Sequence, residues 1–196
     1  MIILLNAMIR IFNVPGWIGL LSLILILSSA SPAAKETTIY IVRHAEKDTS
    51  DPRDNDPSLN AEGKIRVLAL NEFLKKEKIS AVFATNYKRT MQTVALVAQR
   101  NGIPVKSYDS KDPEALVKLV KSEFVNQKVL IAGHSNTILE LVKAFGQAAP
   151  FEKLNDDDYD LIFKITIHKT GESSLKVKRF GKEHHSTRIP ESQPVP

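Results

Sequence analysis

From Thr37 onward, short apolar runs rich in β-formers alternate with stretches of helical period. That alternation predicts an α/β domain, a three-layer α/β/α arrangement around a mainly parallel central sheet. TTIYIV (37–42) reads as the first strand. Residues 61–77 carry Val67, Leu70 and Leu74 at spacings of three and four, which predicts a helix with one buried stripe. ISAVFAT (79–85) predicts a second strand, and Met91, Val94, Ala95 and Ala98 then outline a helix that Gly102 and Pro104 close. VKSY (105–108) reads as a short strand. Asp112 followed by Pro113 is a cap and first-turn proline, opening a helix whose apolar face is Leu116, Leu119 and Val120. KVLIAG (128–133) suits a central strand covered on both faces. Ile138, Leu141, Val142 and Phe145 mark a helix ending at Gly146, and LIFKITI (161–167) with SLKVKRF (174–180) predict an edge pair around a turn at Thr170 and Gly171.

Two segments break this rhythm. Arg10 is the only charged side chain before Lys35, and WIGLLSLILIL (17–27) runs into the small residues Ser28, Ser29, Ala30 and Ser31. Residues 1–30 therefore read as a signal peptide cleaved after Ala30. An uncleaved anchor is the alternative, because a span needs roughly 20 apolar residues and MIILLNAMIRIF extends the run if Asn13, Pro15 and Gly16 are tolerated. Either reading puts the domain outside the cytoplasm, secreted or periplasmic, with membrane contact only through an uncleaved segment. At the other end, residues 183–196 hold three prolines and no apolar period, the pattern of a disordered tail.

Composition narrows the chemistry. A length of 196 residues suits one domain, and the absence of cysteine excludes disulfides, thiolate nucleophiles, cysteine-based zinc sites and iron–sulfur clusters. The 27 basic and 22 acidic residues leave a net charge of +5, but the signs are interspersed and nucleic acid is not an expected partner. Lys176, Lys178 and Arg179 lack interleaved aromatics and read as charges guarding an edge strand. Asp156, Asp157, Asp158 and Asp160 lack calcium-loop spacing and read as a solvated loop. His184 and His185 form too short a tract to assign a metal site.

The chemistry concentrates at strand ends. Arg43-His44 follows the first predicted strand, His134 follows KVLIAG, and Arg89 opens the helix after ISAVFAT. In open α/β sheets the carboxyl edge is where ligands bind. A cation in the first turn of a helix opposes the macrodipole, so Arg89 makes more sense beside a bound anion.

RHAEK (43–47), Leu59 with Gly63 at a helix start, YKRTMQT (87–93) and GHSNT (133–137), in that order, resemble the successive motifs of the histidine phosphatase superfamily, the phosphoglycerate mutase-like family. The likeness runs from about Thr38 to Gly146 and implies a phosphatase-like domain over residues 31–182. It implies a catalytic group of Arg43, His44, Arg89 and His134, with His44 as the nucleophile that becomes phosphohistidine. Arg43, Arg89 and His134 would hold the phosphoryl oxygens of a small phosphorylated substrate. Phosphoryl transfer rests on positioning and charge stabilisation, which paired guanidiniums supply, so no cofactor or metal is required. Guanidiniums also lower an imidazole's pKa, keeping the nucleophile neutral.

Three departures qualify the resemblance. The second motif reads His134-Ser135-Asn136, without the acidic residue that donates a proton in the acid-phosphatase branch. Glu46, Asp109 and Asp112 are weak candidates for that donor. Ala45 stands where the family often has glycine, and Thr85-Asn86-Tyr87-Lys88 replaces its usual serine-rich lead-in. The competing expectation is a non-catalytic phosphate-binding or interaction domain that retains the pocket. Substrate identity and oligomeric state are not legible in the chain.

Overall fold

The computed structural model describes residues 36–190; the expected export segment lies outside the described residues. The elements follow in the order β1 (Thr37–Arg43), α1 (Ala61–Phe73), β2 (Ala81–Ala84), α2 (Lys88–Asn101), β3 (Val105–Ser107), α3 (Pro113–Glu123), β4 (Lys128–Gly133), α4 (Ile138–Ala144), β5 (Leu161–Ile167) and β6 (Ser173–Arg179). Six strands form one sheet in the order β3-β2-β4-β1-β5-β6. The first four run parallel, whereas β5 and β6 are antiparallel to their neighbours. Among the described residues no helix is long and apolar enough to cross a membrane.

Strand alternation feeds two cores. Ile39, Ile41, Phe83, Val129 and Ile131 face α3 and α4, meeting Leu116, Val117, Val120, Ile138 and Val142. Tyr40, Val42, Val82, Leu130 and Ala132 turn to the other face, where α1 and α2 supply Leu70, Val94, Val97 and Ala98, with Leu74 just past α1. Successive side chains of a strand point to opposite faces, so a central strand must be apolar on both. That is why KVLIAG carries no polar side chain after Lys128.

The helices keep their predicted places but not every predicted face. Helix α1 stops at Phe73, and its buried side is Gly63, Arg66 and Leu70; Val67 is only half-buried. Helix α2 buries Val97 instead of Ala95, and α3 buries Val117 while Leu119 is 40% exposed. In each case the buried arc is shifted by one or two positions. Polar side chains occupy part of it: Arg66 on α1, and Thr90 with Thr93 on α2.

The C-terminal segment also differs from expectation. Residues 183–190 pack onto the domain. Asp158 accepts hydrogen bonds from the backbone N–H groups of Ser186 and Thr187, at 3.2 and 3.0 Å, and from the Thr187 hydroxyl. Asp160 takes Arg179 at 2.7 Å, His185 at 2.6 Å and the His184 N–H at 3.2 Å. Both carboxylates are buried, so the solvated-loop reading fails at these two residues. Residues 191–196 lie outside the described residues.

Between β1 and α1 the chain doubles back, with Lys47 bridging Leu59 and the Asn60 N–H donating to the Glu46 carbonyl at 3.0 Å. Helix α1 starts directly beneath this loop, and a Cβ on Gly63 would sit 2.2 Å from the Glu46 oxygen. Only glycine fits that approach. Gly63→Ala is expected to push the loop off the helix and cost about 1–3 kcal/mol, as overpacking does. Urea denaturation of the variant beside the native chain measures it, and an unchanged midpoint would refute the packing argument.

Candidate active site

The site is assembled by strand register. Arg43 pairs with Gly133 across β1 and β4, and the His44 N–H adds a further rung to the Gly133 carbonyl at 2.9 Å. The residues one step on, His44 and His134, are therefore neighbours, with ring centroids 5.3 Å apart. On the far side of β4, Ala84 pairs with Ala132, which brings Thr85 alongside His134. Gly133 is confined: a Cβ there would lie 2.9 Å from both the Ile138 side chain and the Tyr108 hydroxyl oxygen.

His44 is buried at 5% exposure, and its Nδ1 lies 2.8 Å from the Ala45 carbonyl. A carbonyl only accepts, so Nδ1 carries the proton and Nε2 carries the lone pair. Nε2 has no hydrogen-bond partner among the described residues, yet it is not among the buried unsatisfied atoms, so it remains open to solvent. Burial first, then the charges of Arg43 and Arg89 and the neighbouring His134, lower the His44 pKa to about 3. The loop that bears His44 is tied down by the third motif. Thr93 of α2 accepts from the Ala45 N–H at 2.9 Å, and Gln92 accepts from the Leu59 N–H at 2.9 Å.

His134 contacts the Thr85 hydroxyl through Nε2 at 2.8 Å. Burial and the charges of Arg89, Arg43 and Lys47 lower its pKa to about 4. Both imidazoles are thus neutral near pH 7.

The two arginines flank this pair. Arg43 uses Nη1 on the carbonyls of Asn155 and Asp156, both at 2.9 Å, and Nη2 on the Tyr159 hydroxyl at 3.3 Å. Its guanidinium lies 4.0 Å over the Tyr159 ring. Arg89 lies 4.4 Å over the Tyr87 ring, and its nearest carboxylate oxygen is on Asp56 at 3.8 Å. Among the described residues the only buried side-chain nitrogens or oxygens without a partner are Nε of Arg43 and Nε of Arg89. A buried unpaired donor is costly, and each of these belongs to a cation. An oxyanion between the two forks would satisfy both.

All four residues singled out from the sequence, Arg43, His44, Arg89 and His134, are brought to one rim of the sheet. The three weak proton-donor candidates are occupied elsewhere. Glu46 is buried and takes the Arg66 fork at 2.7 to 3.0 Å together with His184 Nδ1 at 2.7 Å. Burial pushes its carboxyl up, but the hydrogen bonds from Arg66 and His184 win and hold it below the usual range. A carboxyl held ionised cannot store the proton a leaving group needs. Asp112 caps α3 through the Ala115 N–H at 3.0 Å, and Asp109 turns its own loop through the Lys111 N–H at 2.8 Å.

Several participants were not visible in the sequence. Thr85 lies against His134 and Thr90 against Thr85, Tyr159 against Arg43, and Asp56 against Arg89. Thr90 lies within the YKRTMQT motif and Thr85 two residues before it, and that motif is the signal that pointed near them. For a metal, Glu46, Glu62 and His184 offer ligand atoms within 4.8 Å of one another. The Arg66 guanidinium already occupies Glu46 there and opposes a dication, so no metal is assigned to it.

Residues 39–110 match the family model described as histidine phosphatase superfamily (branch 1). No curated protein sequence matches the chain. Among solved structures, the protein histidine phosphatase SixA complexed with tungstate superposes with a TM-score of 0.59 at 19% identity, covering 72% of this chain and 96% of its own. A mycobacterial glucosyl-3-phosphoglycerate phosphatase gives 0.57 at 13% identity, covering 72% and 97%. YhfR of Bacillus stearothermophilus gives 0.57 at 17% identity, covering 72% and 96%. The match over residues 39–110 is thus to the histidine phosphatase superfamily, branch 1, and the sheet and helix arrangement around it is the fold these solved phosphatases share.

Proposed function

We propose that the protein is a phosphatase that hydrolyses a phosphomonoester through a phosphohistidine on His44. The observation that carries this reading is the pair of orphaned Nε–H groups of Arg43 and Arg89, both buried beside two imidazoles. His44 Nε2 attacks phosphorus, the bond to the leaving oxygen breaks, and the leaving group departs with its electron pair. Water then attacks phosphorus, the N–P bond breaks, and inorganic phosphate leaves with His44 restored to its neutral form. Arg43 and Arg89 hold the charge spread over the non-bridging oxygens throughout, so the step needs no metal. His134 Nδ1, which has no partner among the described residues, lies on the same rim as a further contact to the phosphoryl group.

Glu46, Asp109 and Asp112 are each committed elsewhere, which favours substrates whose leaving group departs without help, including phosphoramidates and acyl phosphates. Solved relatives described as a protein histidine phosphatase and as a glucosyl-3-phosphoglycerate phosphatase supply both a macromolecular and a small-molecule precedent for the substrate.

His44→Ala is expected to abolish hydrolysis of p-nitrophenyl phosphate and to remove an acid-labile, alkali-stable phosphoenzyme trapped by rapid quench. Normal turnover by His44→Ala would sink the covalent mechanism, and no turnover by the native chain at any pH from 4 to 9 would favour a phosphate-binding domain. Arg89→Ala removes a donor that faces the phosphoryl group in both ground and transition states. It is expected to raise KM and lower kcat together, by about 10²–10³-fold in kcat/KM. Unchanged kinetics would take Arg89 out of the site.

The pH profile gives an independent check. An imidazole at its ordinary pKa is only about 3% neutral at pH 5. With its pKa lowered to about 3, His44 stays neutral there. Activity, corrected for the substrate's own titration, is therefore expected to persist from pH 7 down to 5. An acid limb centred near 6.5 that His44 titration explains would contradict the burial argument.

A further inference from the structure

Proton counting around His134 goes beyond its place in the rim. Thr90 Oγ1 lies 2.8 Å from the Thr85 carbonyl and 2.9 Å from the Tyr87 carbonyl. Carbonyls only accept, so the one Thr90 hydroxyl proton is spent there. Thr85 Oγ1 is 2.9 Å from Thr90 Oγ1, and that contact needs a proton, which only the Thr85 hydroxyl has left to give. With its proton spent, Thr85 Oγ1 meets His134 Nε2 at 2.8 Å as an acceptor. Nε2 must then be the protonated nitrogen of the ring. Both threonines are buried, at 2% and 0% exposure, so bulk water does not reorder the chain.

We infer that Thr90 and Thr85 form a proton-ordered relay that holds His134 as its Nε2–H tautomer, opposite to His44, so that its Nδ1 lone pair must gain a proton when an oxyanion enters the site. The two rings thereby divide the labour. His44 Nδ1 is pinned by a carbonyl and Nε2 is left free, whereas His134 Nε2 is pinned by a hydroxyl and Nδ1 is left free. Two acceptors, Nδ1 and a phosphoryl oxygen, repel until a proton lies between them. Arg43 of β1, Lys47 of the following loop and Arg89 of α2 all disfavour a charged ring. His44 and Tyr87 face it with ring centroids at 5.3 and 5.1 Å. A dianion beside the ring reverses that balance, and His134 takes up one proton as the oxyanion binds.

Thr85 and Thr90 are positioning residues in this scheme, which in its ligand step rests on the reading of the rim as an oxyanion site. The tautomer itself can be read without ligand or turnover. Nitrogen-15 correlation spectra of the imidazoles in the full chain at pH 7.5 are expected to show His134 with a protonated Nε2 and a bare Nδ1, and His44 with the reverse, the two assigned through the His134→Gln variant. Thr90→Val keeps the branched shape but frees the Thr85 proton to donate to Nε2, so the His134 tautomer is expected to invert. Thr90→Ser keeps the hydroxyl and is expected to retain the native tautomer. A bare Nε2 in the native chain, or a tautomer indifferent to Thr90→Val, overturns the relay.

Sulfate, which stays a dianion across the range, reads the coupling. Its affinity for the native chain is expected to rise by up to about tenfold per pH unit from pH 8 to 6, as uptake of one proton requires. In Thr90→Val, where Nδ1 already bears a proton, the slope is expected to flatten. A flat slope in the native chain overturns the proton uptake. Sulfate binding nowhere near these residues, with the native tautomer as expected, would instead overturn the phosphatase reading and leave the relay standing.

Discussion

The parallel pairing of β1 with β4 is the constraint on which the site depends. Arg43 stands opposite Gly133, and everything that follows is counted from that rung. A shift of one residue would exchange the faces of the whole strand. Here alternation alone cannot resist such a slip, since both faces of β1 and β4 are buried and apolar. What fixes the register lies at the ends. The Thr38 N–H donates to the Gln127 carbonyl at 2.9 Å at one end, and the His44 N–H donates to Gly133 at the other. Gly133 has no room for a side chain, so no neighbour of different size can stand in its place.

Register delivers the residues, but buried polar clamps hold them in aim. Thr93 receives the Ala45 N–H and donates to the Arg89 carbonyl at 2.6 Å, joining the segment after β1 to the first turn of α2. Arg66 and Glu46 close the next stretch of the same loop with a paired fork, and Arg66 also donates to the carbonyls of Phe180 and Lys182 at 3.2 and 3.1 Å. A buried ion pair adds little net stability, whereas removing one partner is strongly destabilising. Its value here is directional: the loop bearing His44 and the strand end bearing Phe180 cannot move independently. Catalytic groups fixed before substrate arrives need no reorganisation at the moment of reaction.

These clamps also explain what a reading of the chain could and could not find. Strands were legible because their apolar runs are short and bounded, and β4 and β5 match KVLIAG and LIFKITI at both ends. The four site residues were legible because each stands at a strand end or in the first turn of the helix after one. Helix faces were read less well, because periodicity counts apolar residues and the buried arcs include Arg66, Thr90 and Thr93. A polar residue in a core looks like a surface residue until its partner is known. Asp158, Asp160 and the tail they hold were missed for that reason. Their partners lie about twenty to thirty residues away, in a segment whose prolines and charges resemble those of a disordered end.

The two arginines differ in how far the fold has prepared them. Both are cations in one another's field, which disfavours crowding them together. Two backbone carbonyls and the Tyr159 ring offset that cost for Arg43. Among the described residues Arg89 has only the Tyr87 ring and a carboxylate at 3.8 Å. Arg43 is thus held by more contacts of the fold than Arg89. The carbonyls that fix Arg43 belong to residues 155 and 156, in a turn whose neighbouring Asp158 takes hydrogen bonds from the Asn155 N–H at 2.7 Å and from the tail at Ser186 and Thr187. Tyr159, stacked on Arg43, also packs against His184 with ring centroids 5.1 Å apart. Through these contacts the tail reaches the guanidinium proposed to hold the phosphoryl group, which gives a reason for burying two aspartates in this turn.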